Sequence, residues 1–110
     1  MAYSEYVPTW ERPVISALLS AILDGGNTVS VYDTEDYVLK RSRSINAIRG
    51  ALGGSGEDML YIRNQAGEDI GCFYLIYNNG SEHDPMTVIA DYVSNDFCDA
   101  IYDALFSKYA

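Results

Sequence analysis

Basic residues are scarce in this sequence: seven Lys and Arg stand against sixteen Asp and Glu, for a net charge of −9. The deficit argues against simple binding to duplex DNA, because neutralisation of phosphates supplies much of that affinity. It also disfavours an anionic membrane surface, and it favours partners with a basic surface. The imbalance is concentrated in residues 50–110, where ten acids and two bases give a charge of −8.

Long apolar runs and a targeting segment are also missing. No run approaches the roughly 20 residues that a membrane-spanning helix needs. The N-terminus reads MAYSEYVPTWERP and has neither the basic region nor the apolar region of a secretory signal peptide. We therefore expect a cytoplasmic protein without a membrane partner.

Metal-binding residues are few, with one His and two Cys in the chain. His83 lies between Glu82 and Asp84, and no further ligands stand at chelating spacing, so we expect no metal and no cofactor. Cys72 and Cys98 are expected to be small buried hydrophobic side chains, because cytoplasmic thiols stay reduced. A disulfide between these two cysteines stays open as an alternative.

Recognisable catalytic motifs are absent. The sequence contains no G-x-S-x-G, and its glycine-rich segment GALGGSG, residues 50–56, lacks the Lys-Ser/Thr of a P-loop. That segment also follows a predicted helix, whereas a phosphate-binding loop opens one. We therefore predict a protein that is not an enzyme; a pocket assembled around His83, Asp84 and a tyrosine is the enzymatic alternative.

The chain does have enough apolar residues for a core, 48% of 110 residues, which predicts a single domain over residues 1–110. Residues 1–8 are predicted to form an extended arm. Aromatic side chains are unusual in a free tail, so Tyr3, Tyr6 and Trp10 are expected to pack on the domain or on a second subunit. The ten tyrosines predict an exposed aromatic patch, and a homodimer or a protein partner is its simplest use.

Three helices are predicted from apolar periodicity and capping residues. The first has Pro13 in its first turn and ends at Gly25-Gly26. The second follows Ser44 as its N-cap, and the third follows Ser94 or Asn95.

Five strands are predicted, at residues 28–33, 36–42, 59–63, 70–77 and 86–93. Short connections between them indicate a mainly antiparallel sheet of four to five strands with helices packed on it, an α+β fold in the order α-β-β-α-β-β-β-α. The apolar strand 70–77 is expected to be central, and the face without helices is expected to carry aromatics such as Tyr32, Tyr61 and Tyr74. In the second strand, Val38 and Lys40 are expected on one face and Tyr37 and Leu39 on the other.

The third helix carries an acidic stripe. At 100° per residue, Asp96, Asp99 and Asp103 fall within about 60° of one another, opposite most of the apolar side chains. Together with Asp84 and Asp91 they are the predicted partner-binding residues, and such a row of charge is compatible with a mimic of DNA phosphates. A merely solvated helix face is the alternative interpretation.

Four of the seven basic residues cluster at Lys40, Arg41, Arg43 and Arg49. One interpretation is a nucleic-acid contact next to Tyr32 and Tyr37, which would make the protein a small regulatory factor. Because the whole chain is negative, we expect direct nucleic-acid binding to be the weaker interpretation, with these bases neutralising nearby acids.

Three segments carry a resemblance to known sequences: TVSVYDTEDYVLKRS, EDMLYIRNQAGEDIGCFYLIYNNG and VIADYV, within residues 28 to 93. They resemble a group of small accessory proteins of phages, prophages and plasmids, and depart from it at Thr34, often Gly there, and at Tyr37, often Trp there. The resemblance implies a mobile-element protein in the host cytoplasm and implies no catalytic residues. Combined with the acidic, tyrosine-rich composition, it suggests an anti-defence or host-takeover protein that binds and inhibits a host protein.

Overall fold

The computed structural model of the protein describes residues 3–110, and these form an α+β fold. Within this range three helices and five strands follow one another in the predicted order, α-β-β-α-β-β-β-α. They are α1 (Arg12–Asp24), β1 (Thr28–Tyr32), β2 (Tyr37–Ser42), α2 (Ile45–Ala51), β3 (Glu57–Arg63), β4 (Asp69–Ile76), β5 (Ile89–Tyr92) and α3 (Asp96–Tyr109). A short 3₁₀ turn, Pro85–Val88, precedes β5.

The five strands form one antiparallel sheet in the order β2-β1-β3-β4-β5. The central strand is therefore β3, and the expected central position of strand 70–77 is wrong by one place. The alternation of β3 between buried and half-buried residues shows that only one of its faces is covered. A central strand need not be the most apolar one when half of its side chains face outward.

The helices cover one face of the sheet, as expected, and the core lies between them. The fully buried side chains come from the inward positions of the strands and from the helices, among them Ile15, Leu18, Leu19, Ile22, Val29, Val31, Ile48, Leu60, Ile62, Phe73 and Leu75. The opposite face of the sheet, called the open face below, carries no helix within residues 3–110. Burial of one face and exposure of the other explains the strict alternation along β3.

The predicted caps of the helices are confirmed. The Ser44 hydroxyl accepts a hydrogen bond from the Ala47 amide at the start of α2, and the Asn95 side chain accepts one from the Cys98 amide at the start of α3. After α1 the left-handed conformation falls on Gly26, whose φ is 77°. Each cap satisfies a backbone group that a helix end would otherwise leave unpaired.

The N-terminal segment departs from the predicted extended arm. Residues 1 and 2 of that prediction lie outside the described residues, and the chain turns at residues 4–7, where the Val7 amide donates to the Ser4 carbonyl. Val7 is fully buried, and the Arg12 guanidinium donates to the carbonyls of Val7 and Ser4. The turn forms because it buries Val7 in the core while Arg12 satisfies the backbone oxygens.

Two strand predictions also need correction. Only Ile89–Tyr92 of the predicted strand 86–93 is extended, because Pro85 starts a 3₁₀ turn in which the Thr87 hydroxyl donates to the Asp84 carbonyl. In β2 the expected separation of Tyr37 and Lys40 onto opposite faces is wrong. The Lys40 Nζ lies 5.4 Å from the centre of the Tyr37 ring, since the β1–β2 pairing is interrupted by register shifts.

Candidate functional site

A groove crosses the open face of the sheet between β2 and the start of α3. Its volume is about 660 Å³. Its floor is one row of paired residues: Ser30 lies opposite Tyr61, and Tyr61 lies opposite Cys72. Because paired residues of neighbouring strands point to the same face, the register of the sheet alone aligns these three side chains.

Three tyrosines form a contiguous aromatic cluster beside the groove. The ring of Tyr32 lies 5.0 Å from that of Tyr37 and 6.2 Å from that of Tyr61, and the Tyr37 and Tyr61 rings are 6.2 Å apart. All three pairs are tilted, which is a favourable geometry for aromatic rings. The tyrosine cluster therefore presents a firm aromatic wall, of which Tyr37 is 49% exposed.

An irregularity in β2 brings basic side chains to the same groove. Arg41 has a φ of 49°, a conformation that non-glycine residues rarely adopt. The nearly buried Ser30 hydroxyl accepts a hydrogen bond of 2.9 Å from the Arg41 amide and holds this conformation. The distorted strand places Tyr37, Lys40 and Arg41 together along the groove, where a regular strand would send Tyr37 and Lys40 to opposite faces.

The third basic residue of the groove is Arg63, at the end of β3. Its Nε donates to the Asp69 carboxylate at 2.9 Å, and both residues line the groove. Arg63 is separated from Lys40 by more than twenty residues of sequence, so only the order of strands in the sheet brings the two together.

A second surface lies at the other side of the sheet, where α3 packs beside β5. Aromatic rings follow one another outward from the core: Phe73 to Tyr92 at 5.8 Å, Tyr92 to Tyr102 at 4.8 Å and Tyr102 to Phe106 at 6.1 Å. Phe73 is fully buried, whereas the Phe106 ring at the outer end is 53% exposed. The row thus connects the core to solvent through two stacked contacts and one tilted contact.

Two of the predicted partner-binding acids border this row. Burial, followed by the negative charges of Asp99 and Asp103, raises the pKa of the Tyr92 hydroxyl, so both carboxylates lie near that ring. Asp99, Tyr102, Asp103 and Phe106 follow one another at steps of three, one and three residues on α3 and share one face. We call Tyr92 together with these four residues the aromatic–acidic edge.

The other predicted acids lie in different places. Asp96 is exposed in the first turn of α3. Asp91 pairs with Tyr74 on the sheet and faces the open side, because it alternates with Tyr92. Asp84 is exposed before the 3₁₀ turn. The five acids therefore do not form a single row of charge.

The predicted basic cluster is divided as well. Arg49 turns towards α1, where its guanidinium donates to the Ser16 hydroxyl and lies 5.6 Å from the centre of the Tyr3 ring. Arg43 is exposed in the connection between β2 and α2 and does not border the groove. Only Lys40 and Arg41 of the predicted nucleic-acid set face the groove.

Two fully buried carboxylates stabilise the helix-covered side of the fold. The Asp58 carboxylate accepts hydrogen bonds from the Tyr77 hydroxyl at 2.6 Å and from the Gly53 amide at 3.0 Å. The Glu11 carboxylate accepts the Asn78 amide at 2.9 and 3.0 Å. Burial outweighs these hydrogen bonds and raises the pKa of both carboxyl groups. Because both carboxylates are buried within the fold, we assign them a structural role.

The residues of the enzymatic alternative do not meet in a cavity. The His83 side chain is 89% exposed, and neither the groove nor a smaller depression beside it, about 150 Å³, is lined by His83 or Asp84. Among residues 3–110 no group of three His, Cys, Asp or Glu side chains is placed to hold a metal ion. The two cysteines, both buried, are free thiols.

Comparisons with protein-family models, with curated protein sequences and with solved structures find no match to this chain. In the described part of the chain, no helix has both the length and the apolar character needed to cross a membrane. The function must therefore be argued from the surfaces of the fold.

Several residues of these surfaces were not among the predicted site residues, including Phe106, Arg63 and Ser30. Phe106 follows Tyr102 by four positions and Asp99 by seven, so helical spacing alone contains the signal that it shares their exposed face. Tyr102 is half-buried and shares this helix face with Asp99 and Asp103. Arg63 and Ser30 carry no such signal, because the strand order that makes them neighbours of Arg41 is not local in sequence.

Proposed function

We propose that this protein acts without catalysis, by binding a basic surface of another protein through the aromatic–acidic edge. The observation that carries this proposal is the half-exposed Phe106 ring at the end of a row of aromatic contacts, on the face of α3 that also carries Asp99 and Asp103. Large aromatic side chains at the centre of a contact supply most of the binding free energy in protein interfaces. Carboxylates around them add selectivity for a positively charged partner.

The arrangement favours a mixed protein contact over a mimic of DNA phosphates. A phosphate mimic needs a regular row of charge, whereas Asp91 lies on the open face of the sheet and Asp84 lies before the 3₁₀ turn, both outside the stripe of α3. The resemblance to accessory proteins of mobile elements supports a more specific form of the proposal. In this form, the partner is a host protein in the cytoplasm, and binding inhibits it.

The test compares captured proteins among three forms of the full chain immobilised in a bacterial lysate. The variant Asp99→Lys/Asp103→Lys changes the edge, and the control Asp24→Lys/Glu82→Lys changes exposed acids elsewhere. Each variant moves the net charge from −9 to −5, since every exchange adds two charges. We expect the wild type and the control to retain the same host protein and the edge variant to lose it.

A third variant, Phe106→Ala, tests the aromatic part without changing charge. We expect it to weaken capture by at least about tenfold, the loss that is typical of a central aromatic residue. Equal retention by all forms would contradict the proposal, and so would an equal loss in the edge variant and the charge control. A concentration-dependent dimer that Phe106→Ala dissociates would assign the edge to self-association instead.

A further inference from the structure

The groove on the open face has aromatic rings on one side and basic groups on the other, and these determine which kind of ligand it can bind. On the aromatic side, the Tyr37 and Tyr61 rings border the space and the Tyr32 ring supports both of them. A flat aromatic group can stack on such rings, with a gain that depends little on which base or ring is presented. The wall therefore selects for a planar ring in the ligand.

On the basic side, the groove is lined by Lys40, Arg41 and Arg63 and by a single acid, Asp69, which is paired with Arg63. Three of the chain's seven basic residues thus border one groove of a protein whose net charge is −9. A local excess of positive charge in a negative protein favours an anionic group at this place. Guanidinium groups suit phosphate especially well because they donate hydrogen bonds in a planar fork.

The size of the ligand is limited from both ends of the open face. Beyond the tyrosine cluster, Asp33 and Asp36 hold the turn between β1 and β2, and across the sheet the carboxylates of Glu57 and Asp91 lie on the same face. A polyanion that extended past the groove would meet these negative charges. A volume of about 660 Å³ is also within the roughly 300–1,000 Å³ of small-molecule sites.

We propose that the groove binds a mononucleotide, with the base stacked on the exposed Tyr37 ring and in edge contact with the tilted Tyr61 ring, and the phosphate held by Arg41 and Lys40. Arg63 borders the phosphate end and is kept in place by Asp69. Arg41 lines the groove, and its left-handed backbone is held by the Ser30 hydroxyl. The site lies on a different face from the aromatic–acidic edge, so it is independent of the proposed protein contact.

The test is calorimetric titration of the full chain with nucleoside 5′-monophosphates, with the matching nucleosides, with inorganic phosphate and with a single-stranded 12-nucleotide DNA. We expect saturable binding of at least one nucleoside monophosphate, and binding at least about tenfold weaker for the nucleoside or phosphate alone, because each contacts only one half of the site. Lack of saturable binding by every monophosphate at millimolar concentration would overturn the proposal. Tighter binding of the oligonucleotide than of any mononucleotide would assign the groove to single-stranded nucleic acid and would also overturn it.

The variants separate the groove from general charge. Arg41→Gln removes a lining guanidinium group, whereas Arg43→Gln removes an exposed neighbouring one outside the groove. We expect Arg41→Gln and the exposed Tyr37→Leu each to raise the Kd roughly tenfold and Arg43→Gln to leave it unchanged. Equal losses in Arg41→Gln and Arg43→Gln would show mere charge attraction and would contradict the site. Thermal unfolding of each variant checks that it is folded, and Tyr37→Leu tests the site independently of the strained position at Arg41.

Discussion

Removing the hydroxyl of Tyr77 tests directly how much its hydrogen bond to the buried Asp58 carboxylate stabilises the fold. Tyr77 is 7% exposed, and its hydroxyl donates to the Asp58 carboxylate at 2.6 Å. Tyr77→Phe keeps the ring and its packing but leaves Asp58 with one donor, the Gly53 amide. The other oxygen of that carboxylate already has no hydrogen-bond partner within the described residues. The variant therefore leaves a buried charge poorly solvated.

The expected loss follows from the kind of bond that is removed. A hydrogen bond to a charged group contributes about 1.5–3 kcal/mol, and loss of its donor also leaves the buried acceptor partly unsatisfied. We expect Tyr77→Phe to lower the free energy of unfolding by about 2–3 kcal/mol at neutral pH. Against a total of about 5–15 kcal/mol for a domain of this kind, the loss is large enough to measure easily.

Urea unfolding followed by circular dichroism measures this loss. With a slope typical of a small domain, the midpoint should fall by between about 1 and 2 M without a change in the slope. The matched control is Tyr37→Phe, at an exposed ring, which should change the free energy of unfolding by less than about 0.5 kcal/mol. A loss below about 0.5 kcal/mol in Tyr77→Phe would refute the claim that the buried carboxylate depends on this hydroxyl.

The same variant has a pH signature. Burial raises the pKa of Asp58, and removal of the Tyr77 hydroxyl should raise that pKa further, because it removes a bond that favours the ionised form. The decrease in the free energy of unfolding caused by Tyr77→Phe is therefore largest at pH values where Asp58 is ionised. It becomes smaller as the pH falls through the raised pKa of Asp58. A loss that stays constant from about pH 7 to about pH 4 would contradict this assignment.

Two further predictions concern other buried titratable groups. Burial raises the pKa of Glu11 above its ordinary value of 4.5, so its contribution to stability is present below that value and is lost as the pH rises through the raised pKa. Glu11→Gln should therefore flatten the decline in the free energy of unfolding towards neutral pH. An unchanged pH profile of that free energy would contradict this prediction. Burial, with smaller contributions from Cys98 and Asp91, raises the pKa of the Cys72 thiol to about 11. We expect alkylation of Cys72 by iodoacetamide at neutral pH to be about 100-fold slower than that of free cysteine, and mass spectrometry that finds comparable rates would contradict it.

Most of the fold could be predicted because its signals are local. Apolar periodicity marks α1, alternating β-branched residues mark β1, and Ser44 and Asn95 mark the starts of the other helices. The predictions that were wrong depended on signals that do not distinguish one structure from another. A short apolar run such as Met86–Val88 is buried equally well in a 3₁₀ turn and in a strand, so burial alone cannot distinguish them.

The two surfaces differ in how far the sequence predicts them. The aromatic–acidic edge is largely contained in the helical spacing of α3, and its Asp99 and Asp103 were predicted from that spacing. The groove depends on which strands are neighbours and on a distortion at Arg41 that the Ser30 hydroxyl supports from the next strand. A cluster of bases that is contiguous in sequence was therefore divided in the structure, while Arg63 joined from a distant segment.

The division of charge gives the small fold two separate surfaces. Strands β1 to β4 have their inward side chains in one core, and the row Ser30–Tyr61–Cys72 lies on the other face of the sheet, where it forms the floor of the groove. The aromatic row ending at Phe106 leaves that core on the opposite side, beside β5 and α3. The acids Glu57 and Asp91 lie on the open face outside the set of residues that line the basic groove. Charge therefore distinguishes the two surfaces on a body whose longest dimension is 38 Å.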